Sequence, residues 1–188
     1  MRLGVDEVGV TELLAVTEHA RCLAVVAAAL LLERLDTDRA LVALVDPRSA
    51  PPPVRARLAE IEAAVGPALG GVPALWRALA GNPHHLEATW RKEQAVMGEG
   101  ALGARDKRRV ALAVAMNAGV RYAIEYQAAL LRAAGDGEGA ILEILGVVDH
   151  FNALNTLADA MQIESDIRPP AGAPEDDLGR PAADGQAP

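Results

Sequence analysis

The chain has 188 residues, 51% of them apolar but only 3% aromatic, and a formal net charge of −8. That length suits one domain around a single core of Ala, Leu, Val and Ile, and the acidic balance argues against nucleic acid, whose binding rests on clustered Lys and Arg. The one cysteine, Cys22, excludes an internal disulfide and fits a reducing cytoplasm.

Almost every segment reads as helix, because apolar residues recur at helical spacing and Gly/Pro breaks fall at helix-length intervals. Helices are expected near 9–19, 21–35, 37–46, 52–65, 72–80, 83–98, 104–118, 120–134 and 137–163. The apolar run Leu23–Leu32 spans ten residues between Arg21 and Glu33, short of the roughly 20 needed to cross a bilayer. Acids (Asp6, Glu7, Glu12, Glu18) precede it where a secretory signal would be basic. A cytoplasmic protein without a membrane span is expected.

Pro51-Pro-Pro53 reads as a linker ending at a helix's first position. Gly70-Gly71 and Asn82-Pro83 mark further breaks. Asp106 is placed to cap or charge the helix beginning near 104, and Asn117-Ala-Gly119 reads as a helix C-terminus. The basic cluster Arg105-Asp-Lys-Arg-Arg109 is read as a solvated first turn in preference to an anion site. Apolar periodicity is lost beyond Asp166, so a disordered acidic Pro/Gly/Ala tail is expected over 166–188. The chain is parsed as an N-terminal helical half (1–70), a helical core (71–165) and that tail.

Sliding the chain by 100 places Val10 on Val110, Ala15 on Ala115, Arg21 on Arg121 and Ala28-Ala-Leu-Leu31 on Ala128-Ala-Leu-Leu131, without a gap. Ala and Leu dominate both halves, so coincidence and an ancient duplication account for the match equally well.

The stretch Asn117-Ala-Gly-Val-Arg-Tyr-Ala-Ile-Glu-Tyr-Gln-Ala-Ala-Leu-Leu131 resembles the active-site segment of the AhpD-like (alkylhydroperoxidase D / carboxymuconolactone decarboxylase) family, roughly N-G-C-x-Y-C-x-x-x-H-x-x-x-L. Val110–Asn117 before it, and Ile141–Leu145 and Phe151–Ala160 after it, extend the likeness from Pro73 to about Met161. The resemblance implies an all-α helical bundle, with a two-repeat arrangement known among its members, that associates as a dimer, trimer or hexamer. It also implies a chemistry: one low-pKa thiolate attacks peroxide, a second resolves it as a disulfide, and a histidine and a glutamate relay the proton. Here Val120 and Ala123 stand at the cysteine positions, Gln127 at the histidine and Arg108 at the glutamate. Valine and alanine are not nucleophiles and glutamine does not titrate. Thiol peroxidase activity is therefore not expected, and no catalytic set is assigned with confidence.

Arg108, Tyr122, Gln127 and His150 remain as ligand-pocket candidates. Gln127 is the one polar member of the motif face, more readily satisfied by neighbouring helices than by a ligand. Tyr122 and Tyr126 share another face and suggest interface packing, while Arg121 and Glu125 lie beside them. His150 is a candidate base or a structural histidine, and His19 is the weakest candidate. His84-His85 with Glu87 invites a metal reading, but adjacent helical positions diverge by about 100° and no third ligand is spaced for it. No metal or cofactor is expected.

Two functions stay open. The preferred one is a non-peroxidatic small-molecule-binding or oligomeric scaffold protein. The alternative is a cysteine-independent enzyme of the carboxymuconolactone decarboxylase type, with Arg108 or Arg121 receiving a small acidic substrate. A homo-oligomer is expected, since segments 21–32 and 110–116 are apolar nearly all round and need burial on more than one side.

Overall fold

The computed structural model describes residues 7–29 and 40–164. Seven helices run through them: α1 (Glu7–Ala29), α2 (Pro52–Leu69), α3 (Ala74–Leu79), α4 (Pro83–Met97), α5 (Ala104–Ala118), α6 (Arg121–Ala133) and α7 (Glu138–Ala160). No strand occurs among the described residues.

Local chemistry explains most boundaries. Pro51 caps α2 and Pro52 opens it, and Gly70 closes it at φ 76°, donating its N–H to the Gly66 carbonyl. The Asn82 side chain accepts from the His85 N–H at 3.2 Å and starts α4, with Pro83 in the first turn. Gly119, at φ 67°, ends α5 in the left-handed conformation, and α6 begins two residues later. Asp106 is not the cap of α5, a place taken by Gly103; it charges the first turn and pairs with Arg109 at 2.8 Å.

Two expectations are corrected. The helices foreseen at 9–19 and 21–35 are one uninterrupted α1 up to Ala29, because no Gly or Pro lies between Val10 and Ala29; the remainder, 30–35, falls outside the described residues. Residues 40–46 are bend and extended chain, not helix. The Val45 N–H donates to the Arg77 carbonyl at 3.1 Å, and the Arg77 side chain donates back to the Val45 carbonyl, so the backbone there is bonded across the fold. The 100-residue offset sets mid-helix His19 against the turn at Gly119, so the internal likeness does not carry over to helix boundaries. Positions 37–39 and the expected tail over 166–188 also lie outside the described residues.

Contacts divide the chain into two units, Met1–Ala153 and Leu154–Pro188. In the first unit, Leu23 and Ala24 of α1, Leu58 and Ile61 of α2, Trp76 of α3, Trp90 of α4 and Val120 share one core. The described residues up to 70 therefore pack together with α3, α4 and the start of α6. Trp76 and Trp90 meet edge to face, centroids 5.2 Å apart. Burial of each such large side chain stabilises by roughly 1.5–3 kcal/mol. Small residues let α1 lie close on α5: Val16, Ala20, Met97 and Ala111 form a second cluster. Leu112, Ala128 and Leu131 join α5 to α6, with Ile141 and Ile144 of α7 against them. No residue of α7 is fully buried, and no helix among the described residues is long and apolar enough to cross a membrane.

Candidate functional site

The turn at Gly119 aims the start of α6 back along α5, bringing the motif positions together. Gln127 of α6 and Arg108 of α5 meet, the guanidinium donating to Oε1 of Gln127 at 3.4 Å. Arg108 also pairs with Oε1 of Glu93 on α4 at 2.6 Å. The other oxygen of Glu93 stands 2.6 Å from Nε2 of His19 on α1. A chain His19–Glu93–Arg108–Gln127 thus crosses four helices, and among the described residues no buried side-chain N or O lacks a partner.

The electrostatics fix the protons. Burial pushes the Glu93 carboxyl up, but the His19 hydrogen bond and the Arg108 charge outweigh it and hold the group below the usual carboxylate range. An ionised Glu93 only accepts, so Nε2 of His19 is the donor between them. Burial pushes the Tyr126 phenol far up, Glu93 adds to this, and Tyr126 stays neutral. Its oxygen accepts from Nε1 of Trp76 at 3.3 Å, while the Tyr122 oxygen accepts from the Leu75 N–H at 3.1 Å. Both tyrosines are thus used within the chain, in place of the interface role expected of them.

Beside Ala123 and Gln127 the remaining space is about 10 Å³, walled by Ala20, Ala111 and Ala115 and closed by Tyr122 and Tyr126. That holds one water at most. Val120, at the first cysteine position, is 7% exposed and packs into the core.

The other candidates lie elsewhere. His150 is exposed on α7, its ring 5.7 Å from that of Phe151, and does not reach Gln127. Arg121 pairs with Glu125 at 2.7 Å on the surface. His84 and His85 line different clefts, His84 with Arg57 of α2 and His85 with His19 and Cys22 of α1. Glu87 is held by Arg57 and Arg91. Among the described residues no three His, Cys, Asp or Glu side chains gather where a metal ion could sit. Cys22 is exposed and donates to Glu18 at 3.3 Å; that bond, with some burial, pushes its thiol up, away from the thiolate.

The basic cluster is only partly a solvated turn: Arg105 and Asp106 are exposed, whereas Lys107 and Arg108 are drawn inward. Lys107, only 3% exposed, donates to the Gly98 carbonyl at 2.8 Å and pairs with Glu12 at 3.2 Å. Arg105 and Arg109 converge on the buried carboxylate of Asp136. Arg108 turns inward to Glu93.

Sequence reasoning missed Glu93 and ranked His19 last. A signal was present: Glu93 lies on the apolar stripe of α4 with Leu86, Trp90 and Met97, and His19 lies among Val16, Ala20 and Leu23. A charged residue on a buried stripe requires a partner.

Comparison with known proteins agrees with this geometry. Residues 83–163 match the Carboxymuconolactone decarboxylase family (CMD). The structure is similar to the crystal structure of an alkylhydroperoxidase AhpD core from Rhodospirillum rubrum, at 33% sequence identity and a TM-score of 0.61, covering 68% of this chain and 94% of that one. No curated protein matches the sequence.

Proposed function

The chain belongs to the AhpD-like carboxymuconolactone decarboxylase family, and within it we propose a non-peroxidatic member, a small-molecule-binding or oligomeric scaffold protein. The observation that carries the reading is the volume at the motif: about 10 Å³, filled in by alanines. A peroxide finds no room beside Ala123 and Gln127, and no thiol or titrating relay to meet there. The same arrangement disfavours the cysteine-independent decarboxylase. Arg108 is committed to the buried Glu93, and Arg121 lies on the surface with Glu125, outside the lining of the space beside Gln127.

Self-association is supported by α7. In the first unit Leu142, Leu145, Val147 and Phe151 are 46–64% exposed, and in the second Leu154, Leu157, Met161 and Ile163 are exposed as well. Large apolar side chains in such number mark interaction surfaces, and a further copy of the chain is the partner proposed for them.

The test uses the purified full chain. No turnover of hydrogen peroxide or an alkyl hydroperoxide is expected with dithiol reductants; turnover abolished by Cys22→Ser would overturn the non-peroxidatic reading. Light scattering after size exclusion is expected to give a multiple of 19.6 kDa. A monomer would remove the assembly part of the proposal.

A further inference from the structure

We propose that the cleft between α1 and α4 is a binding site for a small amphiphilic anion, an apolar body carrying one anionic head, with His19 in its wall. The site is separate from the motif and does not depend on whether peroxide is turned over.

Its volume comes first. The cleft measures about 520 Å³, within the roughly 300–1,000 Å³ typical of small-molecule sites, whereas the motif cavity holds a single water. Charge comes second. The chain carries −8 overall, yet the cleft's polar lining is basic or neutral, with Arg21 of α1 and His85 and Lys92 of α4, and no carboxylate lines it among the described residues. Arg21 has no ion-pair partner among the described residues. Lys92 is held only by Glu18, at 2.5 Å and half in solvent, an exposed pairing that an incoming anion can displace at little cost. Apart from the Thr89 hydroxyl and His19, the rest of the wall is apolar: Leu23, Ala88 and the protonated thiol of Cys22. A ligand matching both features has an apolar body and a single negative end.

His19 supplies the third argument. It is 2% exposed yet contributes to the wall, and its Nε2 is turned to Glu93. Only Nδ1 and the ring carbons remain for the cleft. Glu93, itself anchored by Arg108, holds the ring in one orientation. This pre-organisation lowers the ordering cost of binding.

The experiment is a titration of the full chain, 13C-labelled at histidine, with 4-phenylbutyrate and separately with uncharged 4-phenylbutanol. The chain has four histidines, whose ring signals are followed. The His19 and His85 signals are expected to shift saturably with the carboxylate while those of His84 and His150 stay fixed, and the alcohol is expected to bind at least tenfold more weakly. Ala88→Trp fills the cleft from an exposed position and is expected to weaken binding at least tenfold with the melting temperature retained; Arg21→Ala weakens it several-fold. Alkylation of Cys22 by iodoacetamide is expected to slow when the carboxylate is bound. Equal affinity for the alcohol, shifts confined to His150, no saturable shift, or unchanged binding by Ala88→Trp would each overturn the proposal.

Discussion

Nε2 of His19 on α1 lies 2.6 Å from Oε2 of Glu93 on α4, 74 residues away in sequence, with both side chains all but sealed from solvent. Because the second oxygen of Glu93 holds Arg108, this one carboxylate ties the N-terminal helix to the α5–α6 pair. Glu93→Ala would leave an arginine without its anion and a buried imidazole without its acceptor. Removal of one partner from a buried charge pair costs about 3–5 kcal/mol. A matching fall in the urea midpoint is expected, smaller for Glu93→Gln, which keeps the shape and one acceptor. A midpoint unchanged by Glu93→Ala would mean that the network does not hold α1 in place.

Asp136 makes a different electrostatic prediction, one in pH. Hydrogen bonds from Arg109, joined by Arg105, outweigh desolvation and lower its carboxyl from 3.8 to about 2. In the folded chain the group therefore stays ionised where the unfolded chain already takes up a proton. Its stabilisation is complete above the unfolded value and is lost as pH falls through the folded one. Wild type is expected to be more stable than Asp136→Asn at neutral pH, with the gap closing as pH is lowered from about 4 to about 2. A gap independent of pH over that window would remove the charge from the explanation.

The sealed motif predicts a response to added bulk. Ala115 is 1% exposed and walls the 10 Å³ space. Ala115→Leu inserts three carbons where one water fits, and overpacking of this kind costs about 1–3 kcal/mol. Chemical denaturation is the measurement. A neutral or stabilising result would mean that the space beside Gln127 opens in solution, which would reopen the case for a ligand there.

Legibility followed the range of the interactions. The start of α4 at Asn82-Pro83 and the turn at Gly119 are encoded by neighbouring residues, and the meeting of Arg108 with Gln127 follows from motif spacing once α5 and α6 are placed. Residues 40–46 do not read correctly from sequence because Val45 and Arg77, 32 residues apart, bond each other's main chain. Lys107 and Arg108 mislead for a related reason: each belongs to a run that looks like solvent-facing charge until a distant carboxylate is found for it. The spacing of Glu93 on the buried stripe of α4 could have warned of one such pair, though not of its partner on α1.

The exposed face of α7 yields the last prediction. Leu145 and Phe151 are 46% and 57% exposed, in the same unit and on the same helix. Glu is a good helix former, so Leu145→Glu and Phe151→Glu should leave α7 intact. On a free surface such changes alter stability by less than about 0.5 kcal/mol. Within an apolar contact between copies, each places an unpaired carboxylate out of water, costing several kcal/mol per ion, doubled where the contact is symmetric. The double variant is therefore expected to drop to a smaller species by light scattering, with its helical circular dichroism unchanged. If the mass instead stays that of the parent assembly, α7 is not the contact, and the burial that its apolar residues call for must come from a different partner.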